Sequence, residues 1–467
     1  MRRTKIVATV GPATSDPTTT RALLEAGADV LRLNAAHGDA HVHSDSARRI
    51  RAAADALGRS AALLVDLPGP KLRTGDVAGD SVSLSAGERF VLGALVEPGD
   101  EHRVATTVPD LAHWVTPGDE ITLADGAIVL VVDDVRDGAV HTTIARGGLL
   151  RSRKGMHIPR AEQHIEPFTD ADRDALELAL ALRAEFVGIS FVRHARDVEQ
   201  IRSSLPRRGY RPQLVTKIET AIALDELDGI IAVADAVMVA RGDLGIEVPE
   251  ARVPLIQKDI IRRCNAAGKP VITATQMLES MTRAPMPTRA EVNDVANAVI
   301  DGTDALMLSE ETAVGAHPIE AVRTMANVAI EAERWPRDRV VPAPSDDDRV
   351  AWAVAHAAVE AAEDLAVTAI LCPTHSGVTA RRVASFRPRM PVIGAAERPE
   401  ILGQLRLVWG VQPVAVAAVP DGADRLDLAL RAARTAGLLA AGDLVAVVMA
   451  SPAPRAGATD TVRIVRA

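Results

Sequence analysis

The stretch "TKIET", residues 216–220, sets a lysine and an acid two positions apart. In a β-strand, residues i and i+2 project from the same face, so Lys217 and Glu219 stand side by side at a strand end. Two readings are open: a structural ion pair, or an ammonium and a carboxylate placed for chemistry. The next apolar run ends "MVARGDLG", with Asp243 just past it. Arg241-Gly242-Asp243 would open a turn whose backbone N–H groups bind an anion; capping a following helix is the other role open to Asp243. Glu219 and Asp243, on adjacent strands, can share a hard divalent cation, because Mg2+ takes one or two carboxylates together with substrate oxygens. Two further strand ends carry hydroxyls, Thr275 in "ITATQMLES" and Ser309 in "LMLSEET". Each can relay a proton or bind phosphate, or simply close the strand with a local hydrogen bond. Arg32 in "LRLNAAHG" and Arg73 in "PKLRTG" are forks suited to phosphate. A cation site, a strand-end lysine and convergent arginines together fit phosphoryl transfer, which needs positioning and charge neutralisation more than covalent chemistry.

One more lysine stands out. Among 53 basic residues only six are lysine, at 5, 71, 154, 217, 258 and 269. The segment "DLPGPKLRTG" (66–75) ends an apolar run with Asp66, turns at Pro-Gly-Pro and presents Lys71. A chain that otherwise uses arginine for solvated charge keeps an ammonium here.

The elements that must position these groups alternate along the chain. Short apolar runs begin at residues 5, 30, 62, 186, 214, 236, 270 and 305, with helical patterns such as "TRALLEAGA" and "EVNDVANAVIDG" between them. Runs of this kind suit a parallel sheet buried on both faces, and eight of them close a (β/α)8 barrel. An open doubly wound sheet is the alternative. The expected domains are a barrel from 1–70 and 166–340, an inserted β unit from 71–165 and a C-terminal α/β sandwich from 341–467. The insertion, with alternating segments and Asp-Gly turns, reads as a small β-barrel lid over the strand C-termini, where such barrels carry their sites. In the C-terminal unit, "THSGVTARR" (374–382) is a Ser/Gly/Thr loop opening a helix. Thr374, Ser376, Thr379 and Arg381 there are candidates to hold an effector phosphate.

Composition bounds the partners. Net charge is −9 with pI near 5.8, which supplies no basic field for nucleic acid or anionic membrane. Two unrelated cysteines, Cys264 and Cys372, point to a reducing compartment without a disulfide framework. The N-terminal apolar run is too short for a signal segment and no stretch reaches membrane-spanning length. A cytoplasmic enzyme is expected.

The segments "TKIVATVGPAT", "GPKLRTG", "KGMHIP", "TKIET", "VMVARGDLGIEVP", "GKPVITATQMLESM", "PTRAEVNDVANAV" and "LMLSEETAVGAHPIEAV" resemble the pyruvate kinase family along the whole chain. That resemblance implies transfer of the phosphoryl group of phosphoenolpyruvate to ADP, giving pyruvate and ATP, in a homotetramer. It implies that Lys217 neutralises the phosphoryl group in transit and Arg32 clamps it. Glu219 and Asp243 would hold Mg2+ (with Mn2+ as a substitute), and the Gly242 and Asp243 amides would bind the substrate carboxylate. Thr275 with Ser309 would protonate the enolate. Asn34, His37, Pro12 and Arg73 fall on nucleotide-side positions, with lid residues Asp125 and Lys154. The C-terminal domain would bind a sugar-phosphate or nucleotide effector.

The departures from the family pattern explain the unusual lysine. Family members that need K+ bind it through Asn, Ser, Asp and Thr oxygens, with a Glu where Lys71 stands. Here Asn34 and Asp66 remain, but Ala36 and Leu67 replace the Ser and Thr. An ammonium is a compact charge of roughly K+ size, whereas a planar guanidinium is not. The pattern resembles the branch of the family that works without a monovalent cation, with Lys71 in its place. Glu310 stands where the family has Gly, Ala35 where it has an aromatic, and Val42 where Tyr is frequent.

Overall fold

A computed structural model describes every residue except 1, 71, 94–97, 109, 125, 159–165, 208, 337–340, 343–348, 418–424 and 451–458. Lys71 and Asp125, both singled out above, lie outside the described residues. Eight parallel strands close a barrel: β1 Lys5–Thr9, β2 Val30–Asn34, β3 Ala62–Asp66, β4 Phe186–Ile189, β5 Gln213–Ile218, β6 Ala236–Ala240, β7 Val271–Ala274 and β8 Ala305–Leu308. Neighbours in sequence are neighbours in space, and β8 pairs back onto β1 from Lys5↔Ala305 to Ala8↔Leu308. All eight predicted runs are strands, and the open-sheet alternative is excluded.

The strands are apolar on both faces because each face meets a different core. Val7, Val30, Leu64, Phe186, Met238 and Ile272 fill the interior, while Ile6, Leu31, Leu63, Val187, Val237 and Leu306 pack outward against the helices. The interior cluster also takes in Leu407, a side chain of the C-terminal domain that plugs the barrel.

The insertion after β3 is β-rich, as expected. Strands Glu120–Leu123, Ile128–Arg136, Ala139–Arg146 and Arg89–Gly93 form the centre of a six-stranded sheet, and Ser81–Leu84 pairs with Gly148–Arg151. They enclose one core built on Phe90, Leu92, Ile121, Leu130 and Ile144. The C-terminal domain is a five-stranded sheet ordered Val411–Ala415, Val392–Ala396, Ala369–Pro373, Leu444–Met449, Thr461–Arg466, antiparallel only at the last pair. Helices cover both of its faces, giving the two apolar layers expected of an α/β sandwich. Among the described residues no helix is long and apolar enough to cross a membrane.

Candidate active site

The C-terminal ends of the barrel strands bring the predicted residues together. Lys217, in β5, is buried and lies 2.8 Å from Glu219 Oε1 and 3.3 Å from Asp66 Oδ2, at the end of β3. Its ammonium also donates to Ser190 Oγ at 2.8 Å, just past β4. Arg32, on β2, reaches the same Asp66 oxygen through Nη2 at 2.5 Å and Nε at 3.0 Å, and donates to Thr9 Oγ1 at 3.2 Å. Two cations therefore converge on one buried carboxylate. Backbone geometry fixes that carboxylate: a Cβ added at Gly188 on β4 would fall 2.0 Å from Asp66 Oδ1.

The charges explain the protonation states. Burial alone would push the Lys217 ammonium down, but Asp66 and then Glu219 outweigh it and hold the group well above the usual lysine range. Asp66 is held below the carboxylate range despite burial, by Lys217 and Arg32. Glu219 is pushed up by burial, which the attraction of Lys217 does not overcome, and the neighbouring Asp243 adds to the rise. The Phe191 amide donates to Glu219 Oε2 at 2.6 Å, while Oε1 meets Lys217 as an ion pair outside hydrogen-bond geometry. A fully buried acid that keeps one oxygen without a hydrogen bond, and that feels a second acid beside it, suits a shared hard cation. Among the described residues no three His, Cys, Asp or Glu side chains gather as a metal cluster, so substrate and water oxygens would complete such a site.

Asp243 sits in the first turn of the helix Arg241–Glu247, two positions past its first residue; the cap position is Ala240. The predicted turn is thus the start of a short helix. The Gly242 amide donates to Thr275 Oγ1 at 2.9 Å, and that hydroxyl donates to Ala274 O at 2.7 Å. Thr275 and Gln276 both have left-handed backbone, φ +67° and +52°, a costly conformation for a β-branched residue. Ser309 Oγ is buried without a hydrogen-bond partner among the described residues.

Several residues escaped sequence reasoning. Ser190 holds Lys217 and donates in turn to Leu67 O at 2.7 Å. Glu311 accepts from the Leu278 and Ser309 amides at 3.0 and 2.7 Å, tying the loops after β7 and β8. Arg241 grips Asp294 at 2.7 Å and Thr275 O at 2.6 Å. Ser190 was findable, since it ends the run "FVGIS" as Thr275 ends its own; the reach of Glu311 to Leu278 and of Arg241 to Asp294 spans loops distant in sequence and left no local signal.

A cleft of about 640 Å3 separates barrel and insertion, lined by Leu72, His157, Phe191, Arg193, Asp243 and Glu247 among others. His157 Nδ1 lies 3.0 Å from Glu247 Oε1 across it. Of the nucleotide-side candidates, Asn34 is half-buried at the end of β2, its Oδ1 accepting from the Ala36 amide at 3.2 Å. His37 and Pro12 are exposed on the barrel rim. Arg73 and Lys154 lie on crossing segments of the insertion: Arg73 bridges to Gly155, and the Lys154 amide donates to Thr74 Oγ1 at 3.1 Å.

This constellation, two cations on Asp66 beside paired acids at a barrel mouth under a β insertion, has relatives across its full length. The family model for the pyruvate kinase barrel domain matches residues 1–322, and that for the pyruvate kinase alpha/beta domain matches 352–465. The chain belongs to the pyruvate kinase family. The pyruvate kinase of Thermotoga maritima is 38% identical over 467 residues, covering 100% of both chains. That of Methylorubrum extorquens is 41% identical over 473 residues, 99% of this chain and 97% of its own. That of Geobacillus stearothermophilus is 40% identical over 473 residues, 99% and 80% respectively.

The C-terminal domain of this pyruvate kinase family member holds a second cavity, about 850 Å3, lined by Thr374, Ser376, Thr379, Glu397 and Arg425 among others. Gly377 takes a left-handed φ of +78°, and its amide donates to Thr374 Oγ1 at 2.9 Å. Thr379 Oγ1 meets Thr459 Oγ1 at 2.7 Å. Arg381 is a correction. It sits one helical turn from the loop, but its side chain lines a different pocket, against the barrel.

Proposed function

We propose that this chain transfers the phosphoryl group of phosphoenolpyruvate to ADP, giving pyruvate and ATP. The observation that carries the reading is the Lys217 ammonium, buried and held protonated between Asp66 and Glu219. An ammonium paired with two carboxylates is held against giving up its proton, which argues against a Schiff-base lyase or aldolase on the same barrel. It can neutralise the charge of a phosphoryl group in transit, as Arg32 can beside it. Glu219 and Asp243 would hold Mg2+, with Mn2+ as a substitute, which when bound supplies charge neutralisation to the substrate carboxylate and phosphoryl oxygens. The Gly242 and Asp243 amides are the substrate-carboxylate donors, so the Thr275 hydroxyl must release Gly242 when substrate arrives. Ser309, with a hydroxyl free of partners among the described residues, joins Thr275 as a donor of the proton that converts the enolate to pyruvate. Pro12, Asn34, His37 and Arg73, with Lys154 and Asp125 of the insertion, take the nucleotide.

K+ independence rests on the replacements at the monovalent site. Leu67 is buried and offers only its main-chain oxygen, already bonded to Ser190, and Asp66 is engaged by two cations. Lys71 supplies the remaining charge. The C-terminal cavity, through Thr374, Ser376 and Thr379, takes a phosphorylated effector, and the assembly is a cytoplasmic homotetramer; family membership supports both.

A coupled assay with phosphoenolpyruvate and Mg2+ in tetramethylammonium buffer tests the reading. Pyruvate should form only when ADP is present, and KCl should change the rate by less than about threefold. Pyruvate without ADP would indicate a lyase, and no turnover would indicate a catalytically silent member of the family that only binds metabolites. A tenfold or greater gain from KCl would overturn the role of Lys71, whereas Lys71→Glu should need KCl and Lys71→Arg should fail with or without it.

A further inference from the structure

The barrel and the C-terminal domain meet at a seam rich in basic groups. Lys269 and Asn265 approach from the barrel, just before β7; Arg381, Ser385 and Arg387 come from the C-terminal domain. Arg387 is fully employed. It donates to both Asp304 oxygens at 3.0 and 3.1 Å, to Asn265 Oδ1 at 2.8 Å and to Gly302 O at 2.9 Å. Lys269 donates to Ala234 O at 2.6 Å and Ala232 O at 3.1 Å, which leaves one ammonium hydrogen over. Arg381 is the anomaly. Its Nη1 is shut off from solvent and has no hydrogen-bond partner among the described residues, and Arg381 lines a small pocket shared with Lys269. The acid that acts on it, Asp235, is already bonded to Arg202 at 3.1 Å and to the Leu214 amide at 2.9 Å. Burial pushes Lys269 and Arg381 below their usual ranges. A desolvated charged donor without an acceptor is costly, and here that donor, Arg381 Nη1, shares its pocket with a second cation, Lys269.

We propose that this seam binds one small inorganic anion, of halide to phosphate size, between Arg381 and Lys269. A water molecule would accept from Nη1 but leave the surplus positive charge uncompensated; an anion answers both needs. The site's position gives it a consequence. Arg381 belongs to the helix Val378–Ser385, whose first turn lines the C-terminal cavity, and Lys269 stands two residues before β7, which delivers Thr275 to the active site. The bound anion therefore fastens the helix behind one cavity to the root of a catalytic strand.

The test uses the full chain crystallised without phosphate or sulfate, soaked in sodium bromide and measured at the bromine absorption edge. An anomalous peak within hydrogen-bonding distance of Arg381 and Lys269 is expected, and a phosphate soak that replaces the peak with tetrahedral density assigns the oxyanion rather than the halide. In solution, at constant ionic strength, inorganic phosphate at tenfold its dissociation constant should raise the unfolding temperature by about 2 °C if it is the ligand; bromide should do so if the halide is. Arg381→Gln should remove the response and Arg381→Lys should keep part of it. A seam holding only water in the bromide map, or an anion response of equal size in Arg381→Gln, would overturn the proposal. The bromide map needs no variant, so it decides the matter even if Arg381→Gln does not fold.

Discussion

At the residue scale the site is a problem of buried charge. Glu219 is raised in the folded protein, by burial first and by Asp243 second. The stability linked to its proton is fully present below its unfolded value of about 4.3 and is lost as pH rises through the folded one. At neutral pH its ionised form is under electrostatic tension that a divalent cation relieves. Millimolar Mg2+ should therefore raise the unfolding temperature of the wild-type chain, and Glu219→Gln should abolish that rise; differential scanning fluorimetry reads both. An equal Mg2+ response in the variant would move the metal away from Glu219. Lys217 has the opposite character. Its folded value is raised, so its contribution is fully present below the unfolded lysine value of about 10.4 and is lost only as pH climbs through the higher folded one. The pairing of Lys217 with Glu219 was legible because a strand repeats every two residues. The ties of Glu311 to Leu278 and of Arg241 to Asp294 were not, because those partners lie 33 and 53 positions away in sequence.

At the element scale, strand ends do the positioning. β3 and β4 approach so closely at Asp66 and Gly188 that no side chain fits between them: the register pairs the two residues directly, and a Cβ at 188 would collide with the Asp66 carboxylate. Gly188→Ala should displace Asp66, loosen Arg32 and Lys217 together, and lower kcat by on the order of 100-fold. Steady-state kinetics on the folded variant decides this, and a wild-type kcat would show that Asp66 does not orient the two cations. The alternation of strands and helices was readable from periodicity, as was the β character of the insertion. The segment at 241–247 was not. Its seven residues are too short to show a helical repeat, and glycines at 242 and 245 speak for a turn; packing of Leu244 against Val248 and Val253 settles the helix.

At the scale of the whole molecule, the C-terminal domain is built into the barrel rather than hung from it. Leu407 enters the barrel interior, and Lys5, 2% exposed at the start of β1, donates to Val411 O at 2.7 Å. Burial lowers Lys5 to about 8; Asp29 opposes the shift, while Arg406, Arg2 and Arg59 reinforce it. Between about pH 8 and 10.4 the unfolded chain carries this proton and the folded one does not, so stability rises with pH across that window, by roughly 3 kcal/mol if the group acts alone. The unfolding temperature should climb through this range in the wild-type chain and climb less in Lys5→Met; parallel curves would show that the seam does not sense this lysine. Domain order was legible from linker composition and the return of α/β alternation after residue 340. The seam was not, because it joins residues hundreds of positions apart, and neither Leu407 nor Arg381 carries a local mark of where its side chain goes.

The central claim is that a buried, permanently charged lysine serves direct phosphoryl transfer between phosphoenolpyruvate and ADP. The most direct measurement is 31P NMR of phosphoenolpyruvate, ADP and Mg2+ incubated with the wild-type chain and with folded Lys217→Met. The account predicts that the phosphoenolpyruvate resonance is replaced by those of ATP with no accumulation of inorganic phosphate, and that the variant does this on the order of 1,000-fold more slowly. Release of inorganic phosphate in place of ATP, or a variant as fast as wild type, would contradict it.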